Sequence, residues 1–579
     1  MTYRLENSQA INIDGAIKSR SKLTSGRISI VMIVIILLFM LILGRLYFLG
    51  NIDKDNKAYG FARDVVTASR PNILDRNGAV IALDIVAPSL YAEPRNIIDI
   101  EEAVAKLLVE LPELDEKWLR DRLTGDEGFV WIARELTTKQ QRRIFRLGLP
   151  GIDFRNESKR FYPSSNEVAH IMGAVNRDNQ GIAGFERYID GQDVALLQQI
   201  GLARGRELAP KEMSIDIRVQ HALYAELADA MIRYQAIAAA GVIMDVRSGE
   251  ILALVSLPDF DPNRPETALE PYEGVKGARI NRITAGKFEL GSIFKTISFA
   301  AALDSGAVKI TDEFDATNPV RFGRFSISDY KGKKRVLSMP EIYKYSSNIG
   351  TIRMMQAMGK ENYRAFLTKV GFDDELSVEL PEITTSSILE EFSDVGAATA
   401  SFGHGLSITP MHMVAAVAGI VNDGNFVPPT LFRRTVEQAT ELYRPIISPQ
   451  TSAKMRYLMR LNALEGSARK ANGIAEGYRF GGKTGTADKV VDGRYDSSKT
   501  FASFAAAFPL DDPQYAMVII VDEPQKENEQ RGTTAGWNAG MVSGRIVKRI
   551  APMLGIIPNF DENIDSELVP LELRALTNN

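Results

Sequence analysis

The chain has 579 residues, 45% of them apolar and 25% charged, with a formal net charge of −4. That length allows two or three globular domains, and the near-neutral balance removes the electrostatic reason to expect a nucleic-acid partner. Cysteine is absent, which excludes disulfides and thiolate metal sites, and His170, His221, His404 and His412 form no H-E-x-x-H pattern or close pair, so neither a metal nor another cofactor is expected.

The first element in chain order is apolar: ISIVMIVIILLFMLILGRLYFLG runs from Ile28 to Gly50, and Ser29 is the only polar residue as far as Leu43. A helix over 28–49 would reach roughly 33 Å, enough to cross a hydrocarbon core of about 30 Å. Arg45 stands near its far end, where a long side chain snorkels to the interface, and Tyr47 and Phe48 suit the same depth. The run is long for a signal peptide, and no small-residue cleavage pair follows closely. A retained single-pass anchor is the expectation. Arg4, Lys18, Arg20, Lys22 and Arg27 precede it, against Arg45, Lys54 and Lys57 beyond. That asymmetry puts the tail 1–27 in the cytoplasm and the rest of the chain outside.

Residues 51–210 read as a mixed α/β region. AEPRNIIDIEEAVAKLLVELPELDEKWLRDRL predicts two helices separated near Pro112. VWIARELTTKQQRRIFRLGLPGIDF predicts a short strand and then a helix, with Thr137 or Thr138 as N-cap and Gly148 and Pro150 as stop signal. RFYPSSNEVAHIMGAVNRDNQGIAGFERYID is loop-rich, with Gly181 and Gly184 at turns. Nothing here carries obvious chemistry, so a binding or spacing module is expected.

A second domain is expected over 213–556, followed by a tail at 557–579. AAAGVIMDVRSGEILALVSLPD gives two apolar strands joined by Arg247-Ser248-Gly249. Long helical stretches follow, and apolar strands return at 499–508 and 515–522. Terminal strands flanking a helical middle predict an antiparallel sheet packed with helices, an α+β domain.

Three short motifs lie on that domain. FELGSIFKTISFAAALDSG predicts a buried helix with Gly291-Ser292 at its start and Gly306 past its end. Ser292 and Lys295 are three apart and share a face. Burial favours a neutral amine, and a neutral amine beside a serine is a proton acceptor. The helix N-terminus adds N–H groups where an oxyanion would form. A capping serine and a snorkelling lysine would look the same in isolation. KYSSNIGTIRMM places Ser346 and Asn348 at the start of another helical run, readable as caps or as a proton-relaying hydroxyl and a peptide-binding amide. GYRFGGKT, Gly477 to Thr484, matches the phosphate-cradling G-x-x-x-x-G-K-T, and AMVIIVD ends a strand in Asp522 as an ATPase would. That pattern needs a strand before it and a helix at Lys-Thr; here SARKANGIAEG supplies no strand, and Gly485 follows at once. Asp492-Gly493 signals a hairpin turn, so Lys483 to Thr486 are predicted on a strand leading into a hairpin, and a P-loop is rejected.

In the order S-x-x-K, S-x-N, K-T-G, these motifs resemble the penicillin-recognising serine acyltransferases. ILDRNGAVIA, YAEPR, SIDIRVQHALYAEL, FGHGLSITPMHMVAAVAGIVNDG and the loop-rich stretch above look like class B penicillin-binding proteins, and the resemblance spans nearly the whole chain, nearest to the division-type septal transpeptidases (FtsI type). It departs at Ser347, where β-lactamases have Asp, and at Pro71-Asn72. The resemblance implies an anchor, an elongated pedestal domain and a transpeptidase domain. It also implies a stem-peptide substrate ending in D-Ala-D-Ala and inhibition by β-lactams. Ser292 would be the nucleophile, Lys295 the base, Ser346 the relay, tuned by Lys295 and Lys483, and Asn348 a donor-peptide ligand. Lys483, Thr484 and Thr486 would hold the terminal carboxylate around Gly485, with the N–H groups of Ser292 and Thr486 as the oxyanion hole. It implies a bacterial inner-membrane location with the catalytic domain periplasmic, and a polytopic glycan polymerase (FtsW type) and other divisome proteins as partners. An elongation-type transpeptidase is the alternative; a β-lactamase would need a deacylating Glu, and Glu382 reads as a loop carboxylate after Pro381, while a β-lactam sensor would carry more transmembrane segments.

Overall fold

The computed structural model describes residues 30, 32–45, 70–191, 209–264, 277–388, 392–491, 493–529 and 531–577. Residues 30 and 32–45 are helical and, with 126–128, belong to one compact unit, while the other described residues form a second. Among the described residues no helix is long and apolar enough to cross a membrane. Residues 28, 29, 31 and 46–49 of the expected anchor lie outside them.

In the second unit, the region 70–191 is built on the long strand Val80–Ala92, which pairs antiparallel with Val130–Ala133 and with Ile152–Phe161. Helices Ile100–Glu110, Glu116–Thr124 and Thr138–Phe145 supply its apolar core through Leu107, Leu119 and Ile144. Each begins where the sequence offers a cap: Asp99, Asp115 and Thr137 accept from N3 backbone N–H groups, and Thr137 and Gln140 complete a capping box. A buried ionic cluster closes the region. Glu186, fully buried, receives Arg70 Nε at 2.8 Å and Arg160 Nε at 2.7 Å, and Arg160 also reaches Asp84 at 3.1 Å. Such charges are tolerated because each is paired and hydrogen-bonded.

The second domain centres on a five-stranded antiparallel sheet in the order Gly481–Val491, Arg494–Phe508, Tyr515–Asp522, Ala238–Asp245, Ile251–Leu257. Its strands read as near-continuous apolar runs because both faces are covered. Alternate residues face opposite ways: Phe504, Met517, Ile519 and Ile243 join a core with helices Ile217–Arg233 and Ala539–Met553. Ala505, Val518, Ile520 and Val242 join the core on the other face, which includes helices Lys295–Asp304 and Pro410–Val421. The strand ending in Asp522 is therefore interior, and that carboxylate receives Lys489 Nζ at 3.0 Å. Gly481–Val491 is the edge strand of the sheet, so Lys483 lies on a strand and not at a helix start, as expected, and its side chain is buried. Asp492 of the predicted turn lies outside the described residues.

Two features differ from the sequence reading. Ser292 sits in a 3-10 turn, Gly291–Phe294, and the α-helix proper begins at Lys295. The stretch 557–577, expected to be a tail, forms helices Glu562–Glu567 and Leu571–Thr577 that are held by ion pairs. Asp565 takes Arg460 Nε at 2.7 Å and Arg460 Nη2 at 2.8 Å, and also receives Arg479. Arg460 in turn donates to the carbonyl of Phe480 at 2.9 Å, one residue before the edge strand. Composition hid this, because DENIDSELVPLELRALTNN is polar enough to read as solvated tail.

Asp565→Ala leaves the nearly buried Arg460 guanidinium without its carboxylate. A charge-assisted hydrogen bond contributes about 1.5–3 kcal/mol, so the variant is expected to melt several degrees lower by differential scanning fluorimetry. An unchanged melting temperature would show that the terminal helices do not brace the domain.

Candidate active site

The turn before the buried helix is forced by close contact. Gly291 has φ +59°, and a Cβ there would fall 3.0 Å from the carbonyl oxygen of Thr486. A Cβ on Gly485 would fall 2.4 Å from the carbonyl oxygen of Leu290. Glycines on both sides thus let the nucleophile turn lie directly on the K-T-G strand. Ser503 Oγ, fully buried on the next strand, donates to the Leu290 carbonyl at 2.8 Å and fixes the approach. Ser292 is half-buried at this junction, whereas Lys295 to Leu303 are buried without a break.

Lys295 Nζ donates to the Ser346 carbonyl at 2.6 Å, to Asn348 Oδ1 at 2.7 Å and to Ser346 Oγ at 3.1 Å. Lys483 Nζ approaches the same Ser346 Oγ at 2.8 Å from the sheet edge. One hydroxyl therefore lies between two amines, each 0% exposed. Ser346 reaches this place by adopting the left-handed conformation, φ 58° and ψ 40°, at the end of helix Met339–Tyr345. A side chain there costs roughly 1–2 kcal/mol, which the three lysine contacts offset. Ser292 Oγ makes no hydrogen bond among the described residues, which leaves it free for an incoming carbonyl.

The electrostatics follow from burial. Removal from water pushes Lys295 well below the usual ammonium range; the charge of Lys483 pushes it further down, and Asp329 opposes. Burial pushes Lys483 down to about 7. Two ammonium groups on one buried hydroxyl repel, so burial and that repulsion both favour a neutral amine able to accept a proton.

The remaining expected residues are placed as follows. Thr484 Oγ1 donates to Ser467 Oγ at 2.6 Å, Ser467 Oγ donates to Asn462 Oδ1 at 3.2 Å, and Asn462 Nδ2 donates to the Gly482 carbonyl at 2.7 Å. Thr484 is thus engaged in a network that holds the edge strand. Thr486 Oγ1 accepts from Ala535 N at 3.0 Å and keeps its own proton to donate. Lys295, Ser346, Asn348 and Lys483 form one connected cluster, while Thr484 and Thr486 flank it on the strand. Glu382 Oε1 accepts from Gly184 N at 2.7 Å, which ties the two regions of the body together.

Sequence reading missed three residues. Asn462 and Ser467 carry no motif; a polar residue inside the helix Pro449–Glu465 was the only signal. Asp329 is the third. Ser347 Oγ donates to its Oδ2 at 2.7 Å and Ile349 N to its Oδ1 at 2.9 Å. The carboxylate therefore caps the helix Asn348–Met358 from a distant loop, where its charge suits the helix N-terminus. Ser347, at the centre of S-x-N, is thus paired with an acid from outside the motif.

The comparisons with known proteins agree along most of the chain. Residues 239–549 match the family model described as penicillin binding protein transpeptidase domain, and 65–191 match the penicillin-binding protein dimerisation domain. The probable peptidoglycan D,D-transpeptidase FtsI of Caulobacter vibrioides is 35% identical over 506 residues, 86% of this chain and 83% of that one. The probable peptidoglycan D,D-transpeptidase PenA of Neisseria meningitidis is 31% identical over 92% of this chain and 94% of that one. A crystal structure of a peptidoglycan synthetase from Bifidobacterium adolescentis shares the fold, with a TM-score of 0.63 at 21% identity over 85% of this chain and 96% of that one.

A base with a depressed pKa sets a pH limb. As pH falls through its folded value the amine gains a proton and the rate falls, so acylation by a labelled penicillin should already be near its plateau at pH 8. A rate that rises only above about pH 9.5, where an ordinary lysine deprotonates, would contradict this reading of the pair.

Proposed function

The chain belongs to the penicillin-binding protein transpeptidases, and on that premise we propose that it crosslinks peptidoglycan stem peptides as a class B D,D-transpeptidase acting at the division septum. The observation that carries the chemistry is the convergence of two buried lysines on Ser346 Oγ, beside a nucleophile turn pressed against the K-T-G strand.

Ser292 Oγ attacks the carbonyl of the penultimate D-Ala and passes its proton to neutral Lys295. The carbonyl oxygen takes negative charge against the backbone N–H groups of Ser292 and Thr486, the donors the family resemblance implies. The amide bond breaks, the amine of terminal D-Ala leaves with a proton relayed through Ser346, and the donor remains as an ester on Ser292. An amine from a neighbouring stem then attacks the ester, a new amide forms, and Ser292 regains its proton. Asn348 orients the donor peptide. Lys483 and the Thr486 hydroxyl hold the terminal carboxylate, with Thr484 holding the strand through Ser467. A β-lactam follows the first half only and stays as an ester.

The membrane placement is part of the proposal. Met32 to Leu43 are all apolar and all exposed on their helix. A helix apolar all round is stable only inside protein or lipid, and this supports an anchor over 28–49 with the catalytic domain on the periplasmic side of the inner membrane. A polytopic glycan polymerase of the FtsW type and other divisome proteins are the proposed partners in that membrane.

A labelled penicillin is expected to attach to Ser292, as peptide mass mapping reads, and Ser292→Ala to abolish labelling with an unchanged melting temperature. An adduct on another residue would reject the assignment. Depleting the protein in its host should block septation and give filaments or branched cells; loss of rod shape with normal septation would assign it to elongation.

A further inference from the structure

Between Val320 and Val336 the sequence carries six basic residues and a single acid, on a chain whose net charge is −4. The segment folds as a hairpin, Val320–Phe322 against Phe325–Ile327, followed by a loop that leads into Val336–Ser338. Its one carboxylate, Asp329, has both oxygens committed to Ser347 and Ile349. Arg335 is paired with Glu341. Arg321, Arg324, Lys331, Lys333 and Lys334 are exposed and have no carboxylate partner among the described residues. Aromatic rings are interleaved with them: Tyr330 is 83% exposed and Phe325 52% exposed, with Lys331 Nζ 5.5 Å from the Tyr330 ring centre and the Arg324 guanidinium 5.3 Å from that of Phe325. Lys333 Nζ lies 4.5 Å from the ring centre of Tyr345, the residue before Ser346.

Five like charges held together repel one another, and flat apolar rings exposed beside them are a cost in water. Nothing in the fold needs them there, since the loop is already pinned through Asp329 and through the Ser328 carbonyl, 3.4 Å from Asn348 Nδ2. Their position is the informative part: the loop touches Ser347, Asn348 and Tyr345, so whatever binds it lies beside the S-x-N part of the lysine–serine cluster. We propose that residues 321–334 form a docking surface for the peptide-bearing glycan strand, with the lysines and arginines pairing to stem-peptide carboxylates and the Tyr330 and Phe325 rings covering the apolar faces of sugar rings. The surface deepens the transpeptidase reading and rests on it: the loop grips polymer while Asp329 keeps the relay in register. Charge complementarity selects this occupant, because the substrate that must reach Ser292 is itself an anionic glycopeptide.

The test uses the full chain in nanodiscs of neutral lipid and fluorescent, soluble, uncrosslinked glycan strands, with binding read by polarisation. Lys331→Gln, Lys333→Gln and Lys334→Gln together should weaken strand binding at least about tenfold at low salt, and salt should weaken the wild type in the same direction. Tyr330→Ala should weaken it severalfold. Labelled-penicillin acylation of Ser292 should stay within about twofold in all of them, because a small β-lactam does not touch the loop. Unchanged strand affinity in the triple variant would overturn the proposal. So would an equal fall in acylation, which would make the loop a mere support for the site, or full affinity for strands stripped of their stem peptides. Phosphatidylglycerol vesicles that bind the wild type and not the triple variant, with strand binding intact, would assign the surface to lipid and overturn it as well. A wild-type chain that takes no penicillin would instead reject the transpeptidase reading itself.

Discussion

Two lysine amines held out of water on one serine hydroxyl are the constraint that the rest of this structure serves. Withdrawing an ammonium from water costs several kcal/mol even after relaxation. The protein accommodates two of them by surrounding each with oxygen acceptors, while burial and mutual repulsion favour the neutral form of Lys295. That arrangement requires a helix buried from Lys295 to Leu303 and a sheet edge against which it stops. The covered five-stranded sheet is therefore a condition of the chemistry: helices on both faces keep both amines out of water, and that burial pushes both below the usual ammonium range.

Rigidity around the pair comes from polar links between elements far apart in the chain. Asn462 and Ser467 fasten the K-T-G strand from behind. Asp565 reaches the same strand through Arg460 and the Phe480 carbonyl. Asp329 anchors the S-x-N helix from a basic loop. Each is a buried or half-buried hydrogen bond whose loss would strand a polar group, so small displacements are resisted where the reacting atoms must meet. The basic loop adds a functional consequence, because polymer recognition and relay geometry share one short segment.

Local features were legible in the sequence because their physical causes are local. Apolar runs marked the central strands, Thr137 marked a helix start, and Gly485 directly after Lys483-Thr484 ruled out a phosphate loop. The resemblance to penicillin-recognising enzymes rested on three motifs whose members are each within a few residues of one another. The helical terminal segment was not legible, since its stability lies in pairing with Arg460 and Arg479 and not in its own composition.

The sequence by itself determined which residues carry chemical groups suited to acyl transfer, and which strands and helices would present them. Only the tertiary structure decided that Lys295 and Lys483, 188 positions apart by number, share Ser346 Oγ, and that Asp329 caps the S-x-N helix. Burial and convergence decide both, and neither is a property of any short stretch of chain: an amine loses its proton, and a distant carboxylate becomes a cap, only when folding removes water and brings the two ends of the separation within hydrogen-bonding reach.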